Sequence, residues 1–181
     1  SIRKRLQLFD STVASCALWC TESWTPKHDE LLRLRTAQRA MLRRLCGGGR
    51  KPYEDWVTWI QRSTHRSLDY ASKYGLKNWV SAHFCKKWLW GGHVARRPHT
   101  AWTWMLTTWR DSDWQSWANE LGANRPLRPS TRRWMKWEST LQRFCKESGL
   151  GSWTAAAANR DAWHELADNF ARWAAAAVDR V

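Results

Sequence analysis

A chain of 181 residues is long enough to bury a sizeable core and short enough for a single domain or two small helical lobes. Thirty Lys and Arg against sixteen Asp and Glu leave a net charge of +14 and a pI near 10.3, which favours polyanionic partners, nucleic acid first. No apolar run reaches membrane-spanning length, no signal-peptide pattern opens the chain, and five widely spaced cysteines without a CxxC argue against a secreted disulfide framework, so a soluble protein of a reducing, intracellular compartment is expected, nuclear or cytoplasmic left open.

Seventeen tryptophans predict an aromatic core, since each ring carries roughly 150 to 250 Å² of largely apolar surface. The chain opens without Met and already in helical register, the pattern of a piece cut from a longer polypeptide.

In chain order, Ile2, Leu6, Phe9, Val13, Cys16, Cys20 and Trp24 recur at three- and four-residue steps and predict a helix over about 2–22. Thr25 as cap and Pro26 as first helical residue are expected to start a second helix running to about Cys46, with Asp29 and Glu30 suited to its positive end. On it Leu31, Leu34, Gln38, Met41, Leu42 and Leu45 form one arc. Arg35, Arg39 and Arg43 climb another, with Arg33 and Arg44 beyond them, and Gly47 to Gly49 end the helix. Pro52 opens a third helix with Trp56, Val57, Ile60, Thr64, Ser67, Leu68 and Ala71 inward, closing near Gly75. A fourth runs from about Lys77 to Trp88 or Trp90, where Gly91-Gly92 is expected to interrupt it and Pro98 to forbid its continuation. Helices over about 100–110, 112–121 and 130–149 follow, with the Pro-rich NRPLRPS stretch as a loop. The Ala-rich end places Trp163, Leu166, Phe170, Trp173 and Ala177 on one face. Nothing alternates with period two, so the expected fold is all-α, an irregular multi-helix bundle with a Trp-rich core.

The positive charge is local. Between Leu31 and Arg97 stand 15 Lys and Arg against 3 Asp and Glu, and the remainder of the chain is nearly balanced. Residues four apart on a helix rise about 6 Å, comparable to the spacing of adjacent phosphates, so Arg35, Arg39 and Arg43 suit successive phosphates of one strand. A second basic stretch, Lys86, Lys87, Arg96 and Arg97, surrounds Trp88, Trp90 and His93. Trp88 continues an apolar stripe and reads as core, whereas Trp90 reads equally as core or as a stacking surface. The candidate nucleic-acid-binding set is therefore Arg33, Arg35, Arg39, Arg43, Arg44, Lys86, Lys87, Trp90, His93, Arg96 and Arg97.

Catalytic patterns are missing from the sequence: no GxSxG, no phosphate-cradling Gly-rich loop with Lys-Ser/Thr, and no acidic pair in an apolar strand. Cys16 and Cys20 at i, i+4 could join His28 at a metal, but buried thiols are the expected reading. His65, His83, His93 and His99 lack partners at ligand spacing. We expect no catalytic residue, no metal and no cofactor.

The phrases ALWCTESWT, LRTAQRAMLRRLCG and KKWLWGGHVARR resemble the carboxyl-terminal region of reverse transcriptases from non-LTR (LINE-like) retrotransposons, which carry phrases like LLYGCETWT, LRTAQRRMLRRILG and KWRWAGHVAR followed by a Trp-rich segment. The resemblance covers about residues 2–110 and implies a thumb and post-thumb region that clamps template and primer. On it, 1–50 corresponds to a thumb-like helical hairpin, 51–110 to basic Trp-rich post-thumb helices, and 111–181 to a C-terminal helical segment. The fingers and palm of such enzymes have no counterpart in this chain, so the resemblance implies binding of RNA, DNA or a hybrid without polymerase activity, with the missing fingers and palm as a further partner. The alternative is a helical protein–protein interaction module with a basic face. Binding to anionic lipid surfaces is a weaker third reading and a membrane partner is not expected. Oligomeric state is not readable from the sequence.

Overall fold

A computed structural model describes residues 1–108 and 136–178. Among these residues every regular element is helical, and the all-α expectation holds. The elements are α1 (Ile2–Leu8), α2 (Ser15–Ala17), α3 (His28–Leu42), α4 (Trp56–Lys73), α5 (Trp79–Ala95), α6 (Trp102–Thr108), α7 (Ser139–Glu147), α8 (Trp153–Ala156), α9 (Arg160–Glu165) and α10 (Ala167–Val178). They fall into two compact units. The first holds Ser1–Trp88 and the segment from Ala167 onward, and the second Leu89–Leu166. These boundaries differ from a division at residues 50 and 110. The expected helix over 112–121 and the NRPLRPS loop lie outside the described residues.

In the first unit, the first helix departs from its predicted register. A π-helical turn over Phe9–Ala14 follows α1, and its wider winding adds one residue, so the buried stripe reads Leu6, Phe9, Ala14, Leu18. Val13 and Cys16, expected inside, are exposed as a result, and Cys20 and Trp24, also expected inside, stand exposed where the helix ends. Cys20 then takes a left-handed conformation (φ 54°) and ends the run. The core gathers those residues with Leu42, Cys46, Ala71 and Trp79, and the rings of Phe9 and Trp79 stack at 5.7 Å.

Helix α3 starts two residues later than the Thr-Pro signal suggests. Lys27 occupies the cap, and Glu30 reaches back to accept the Lys27 backbone N–H at 2.7 Å. Leu31, Gln38 and Leu42 are its buried side. Gln38 is the polar member, and it is satisfied at both ends: Nε2 donates to the Lys77 carbonyl at 2.9 Å and Oε1 accepts the Trp79 N–H at 2.8 Å, fixing where α5 begins.

Helix α4 is capped by Asp55, whose Oδ2 accepts the N–H groups of Val57 and Thr58, rather than opened by Pro52. Its inner side is small: Ser63, Ser67 and Ala71 are buried, whereas Trp56, Val57 and Leu68, expected inside, are exposed. A Cβ placed on Gly47 would stand 3.1 Å from Ser63 Cβ, so small residues on both sides let α4 lie close to the end of α3. From the C-terminal end of the chain, Phe170 of α10 meets Trp88 at 4.6 Å and Phe84 edge-on at 6.1 Å.

The second unit contains the most direct correction. Gly91-Gly92 does not break α5, which continues to Ala95. The glycines lie inside the helix because Leu141 and Trp163 pack where their side chains would be: a Cβ would meet Leu141 Cδ1 at 2.8 Å on Gly91, and Trp163 Cδ1 and Nε1 at 2.6 Å on Gly92. Val94, Leu141, Phe144, Trp153 and Trp163 are buried around this contact. Trp153 is flanked by Trp104 and Trp137 at 6.5 and 6.4 Å. Tryptophan thus serves both cores, through Trp79, Trp88, Trp153 and Trp163, yet Trp19, Trp24, Trp56 and Trp102 stand exposed.

Candidate nucleic-acid interface

The arginine ladder belongs to the first unit. Each four-residue step advances an α-helix by about 40° beyond a full turn, so Arg35, Arg39 and Arg43 wind along the flank of the buried stripe, and all three are half-buried. They share one electrostatic environment. Burial, then the charges of Arg35 and Arg43, push Arg39 below the usual guanidinium range. Arg39 Nε is enclosed without a hydrogen-bond partner. Arg43 leans onto α4, its Nη1 donating to Thr64 Oγ1 at 3.2 Å. Arg33 on α3 and Arg44 in the π-helical turn that follows it (Arg43–Gly47) are exposed. Arg39 thus sits in the field of two like charges with one nitrogen unsatisfied, and an anion would offer it both a counter-charge and an acceptor.

One cation the sequence reading passed over joins this region. Arg66 on α4 places Nη1 3.2 Å from where a Cβ on Gly48 would stand, and its guanidinium lies 5.7 Å from the Tyr70 ring centroid. Its place four residues after Arg62, on the polar side of α4, is the signal that could have found it.

The basic stretch 86–97 is divided by the structure. Within the first unit, Lys86 is exposed and donates Nζ to the Leu18 carbonyl at 2.8 Å, satisfying a carbonyl at the end of α2. Lys87 departs from its expected role: it is 2% exposed, enclosed beside His83, and offers no ammonium to a surface ligand. Its register explains this, because the stripe that buries Val80, Phe84 and Trp88 also buries His83 and Lys87, each one residue earlier. His83 is itself 1% exposed, and burial, then the Lys87 charge, lower its pKa to about 4. The Thr21 backbone opposes that shift without closing a hydrogen bond to either ring nitrogen.

Within the second unit, Trp90 is half-buried and stacks on His93 at 5.1 Å, and Arg97 Nε and Nη2 approach the Nε2 edge of that imidazole at 3.2 and 3.0 Å. Arg96 Nη1 donates to the Ala157 carbonyl at 2.7 Å. Trp90, His93 and Arg97 therefore form one contiguous group, a stacked ring pair with a guanidinium at the imidazole edge, and Arg96 is partly occupied with tying α5 to the segment after α8.

No group of three or more His, Cys, Asp or Glu that could hold a metal occurs among the described residues, and the five cysteines are free. No helix there is long and apolar enough to cross a membrane.

The chain is 26% identical over 167 residues to an uncharacterized transposon-derived protein of Caenorhabditis elegans, an alignment covering 88% of this chain and 52% of that protein. The chain thus spans about half the length of the relative it matches. No protein-family model matches the chain. No solved structure matches it.

Proposed function

We propose that the chain is a nucleic-acid-binding module from the carboxyl-terminal side of a retroelement reverse transcriptase, contacting the backbone of template or primer and inactive alone as a polymerase. The observation that carries this reading is the ladder itself, in which Arg35 and Arg39 of α3 and Arg43 of the π-helical turn after it follow one flank of the helix, with Arg39 Nε enclosed and lacking a hydrogen-bond partner. Guanidinium groups so spaced suit bidentate binding of phosphate oxygens. Arg33, Arg44 and Arg66 extend the positive field, and Trp90, His93 and Arg97 supply an aromatic–cationic surface in the second unit. Similarity to a protein whose name states transposon origin supports the same ancestry.

Binding of the full chain to an RNA–DNA hybrid, titrated across salt, tests this. Affinity falls with a log–log slope of about −0.9 per duplex phosphate neutralised, and Arg35, Arg39 and Arg43 changed together to Gln flatten the slope by about three such steps. Weak binding insensitive to salt would sink the reading.

Exposed Trp19 and Trp24, with Leu8, favour a second reading in which the first unit docks on protein, such as the fingers and palm of a parent polymerase. Stable association with a separately produced palm, unaffected by nuclease, favours that reading over the first.

A further inference from the structure

The segment between α3 and α4, GGGRKPYEDW, ends in a turn that is held with unusual thoroughness. The Glu54 N–H donates to the Lys51 carbonyl at 3.2 Å, closing a four-residue turn around Pro52 and Tyr53. Arg62 grips the Glu54 carboxylate through Nε and Nη2 at 2.6 and 2.7 Å, and Nη2 also donates to the Gly49 carbonyl at 3.0 Å. Arg50 Nε donates to the Glu54 carbonyl at 2.6 Å, and Trp59 Nε1 to the Gly48 carbonyl at 3.2 Å.

What this frame presents is an aromatic ring in open solvent. Tyr53 has φ +61°, in the left-handed region that such turns usually give to glycine or asparagine, and its exposure is 107%. A large aromatic at such a backbone position, in contact with no enclosing side chain among the described residues, is an outlier that fold stability does not explain. Trp56, three residues on in the first turn of α4, is 59% exposed. The local charge is one-sided. Glu54 is consumed by Arg62 and Asp55 by the cap of α4, while Arg50 and Lys51 are exposed.

We infer that Tyr53 and Trp56 form an aromatic tip that stacks on unpaired bases of a single-stranded nucleic acid, with Arg50 and Lys51 meeting its phosphates. Paired bases inside a duplex are covered on both faces and show only their edges in the grooves, so away from duplex ends a protruding ring has base faces to cover only where the strand is single. The cationic rim selects a strand carrying phosphates over an apolar protein surface. This inference rests on the nucleic-acid reading above and narrows it to a position and a strand state.

The test uses the full chain, an unstructured oligouridylate of about fifteen nucleotides and a long RNA duplex in which terminal base pairs are scarce, at one fixed salt concentration. Tyr53→Gly should weaken oligouridylate binding by about 5- to 150-fold, the range for loss of one stacked base, and leave duplex affinity within about twofold. Its melting temperature should not fall, because glycine takes the positive φ freely. Tyr53→Phe should retain binding, and Trp56→Ala should weaken the single strand in the same selective way. Unchanged oligouridylate affinity in both Tyr53→Gly and Trp56→Ala, or equal loss on both ligands, overturns the tip alone. Failure of the unaltered protein to bind either ligand overturns the nucleic-acid reading and the tip with it.

Discussion

Arg62 and Glu54, eight residues apart, meet in a two-point ion pair whose bonds measure 2.6 and 2.7 Å, and that pair fixes the turn carrying Tyr53. The Arg62 side chain, then the Lys51 backbone N–H, hold the Glu54 carboxyl down at about 2, against an ordinary 4.5. A carboxyl depressed in the folded state contributes stability that is complete above the unfolded value and fades as pH falls toward the folded one. The turn should therefore loosen between about pH 4.5 and 2. Amide hydrogen exchange at Lys51 and Glu54 checks this: Glu54→Gln speeds exchange at pH 7, and its difference from the unaltered chain vanishes near pH 2. A constant difference across that window would show that the pair does not hold the turn.

His83 gives a titration in a different window. Its ring is buried and neutral with a pKa of about 4, while in the unfolded chain it binds a proton near 6.5. Between those values the unfolded state carries more protons, so stability present above pH 6.5 drains as pH falls toward 4, by an amount on the order of 3 kcal/mol. His83→Met, of similar volume and without a titrating group, should flatten the loss of thermal midpoint across this range. An unaltered slope would place the acid sensitivity elsewhere.

The two glycines of α5 should respond unequally. Alanine gains about 1 kcal/mol over glycine in a helix interior, and on Gly91 the obstacle is Leu141 Cδ1, the end of a side chain that can rotate away. Gly91→Ala should be close to neutral. On Gly92 the obstacle is the Trp163 indole, whose Cδ1 and Nε1 stand 2.6 Å from the new carbon in a ring that is 1% exposed. Overpacking of that kind costs about 1 to 3 kcal/mol, so Gly92→Ala should lower the denaturant midpoint, and Gly92 outranking Gly91 is the result to look for. Equal effects would mean that Trp163 is not the constraint.

These contrasts show where sequence was readable. The helical class, the cationic flank of α3 and the core role of Trp88 follow from three- and four-residue periodicity, because one face of a helix must bury its apolar side chains whatever lies opposite. The register after Phe9 did not follow, since a π-helical turn shifts every later side chain by one position and leaves no compositional mark. Gly91-Gly92 reads locally as a break, and only the indole of Trp163, seventy residues further on, turns the pair into a close-packing surface. Lys87 misled for a related reason: charge predicts exposure on average, but Lys87, like His83, sits one residue before an apolar position of α5 and is drawn inside with it. Arg62 and Arg66 were invisible as individuals, because their roles depend on Glu54 and on Gly48.

Arg39 separates stability from binding most cleanly. Its guanidinium is half-buried, its Nε lacks a partner, and Arg35 and Arg43 repel it. Arg39→Met keeps the length of the stem and its apolar packing while removing the charge and the unsatisfied donor. The free protein should become more stable by about 0.5 to 1 kcal/mol, the scale of one such electrostatic relief at a partly exposed position. Affinity for an RNA–DNA hybrid should move the other way, with the salt slope shallower by about 0.9. Chemical denaturation and a salt titration on the same preparation read both quantities. A variant that gains stability and keeps its full salt slope would show that the ladder repels itself for some purpose other than holding phosphates, and a variant that loses stability would show that Arg39 already has its counter-charge within the fold.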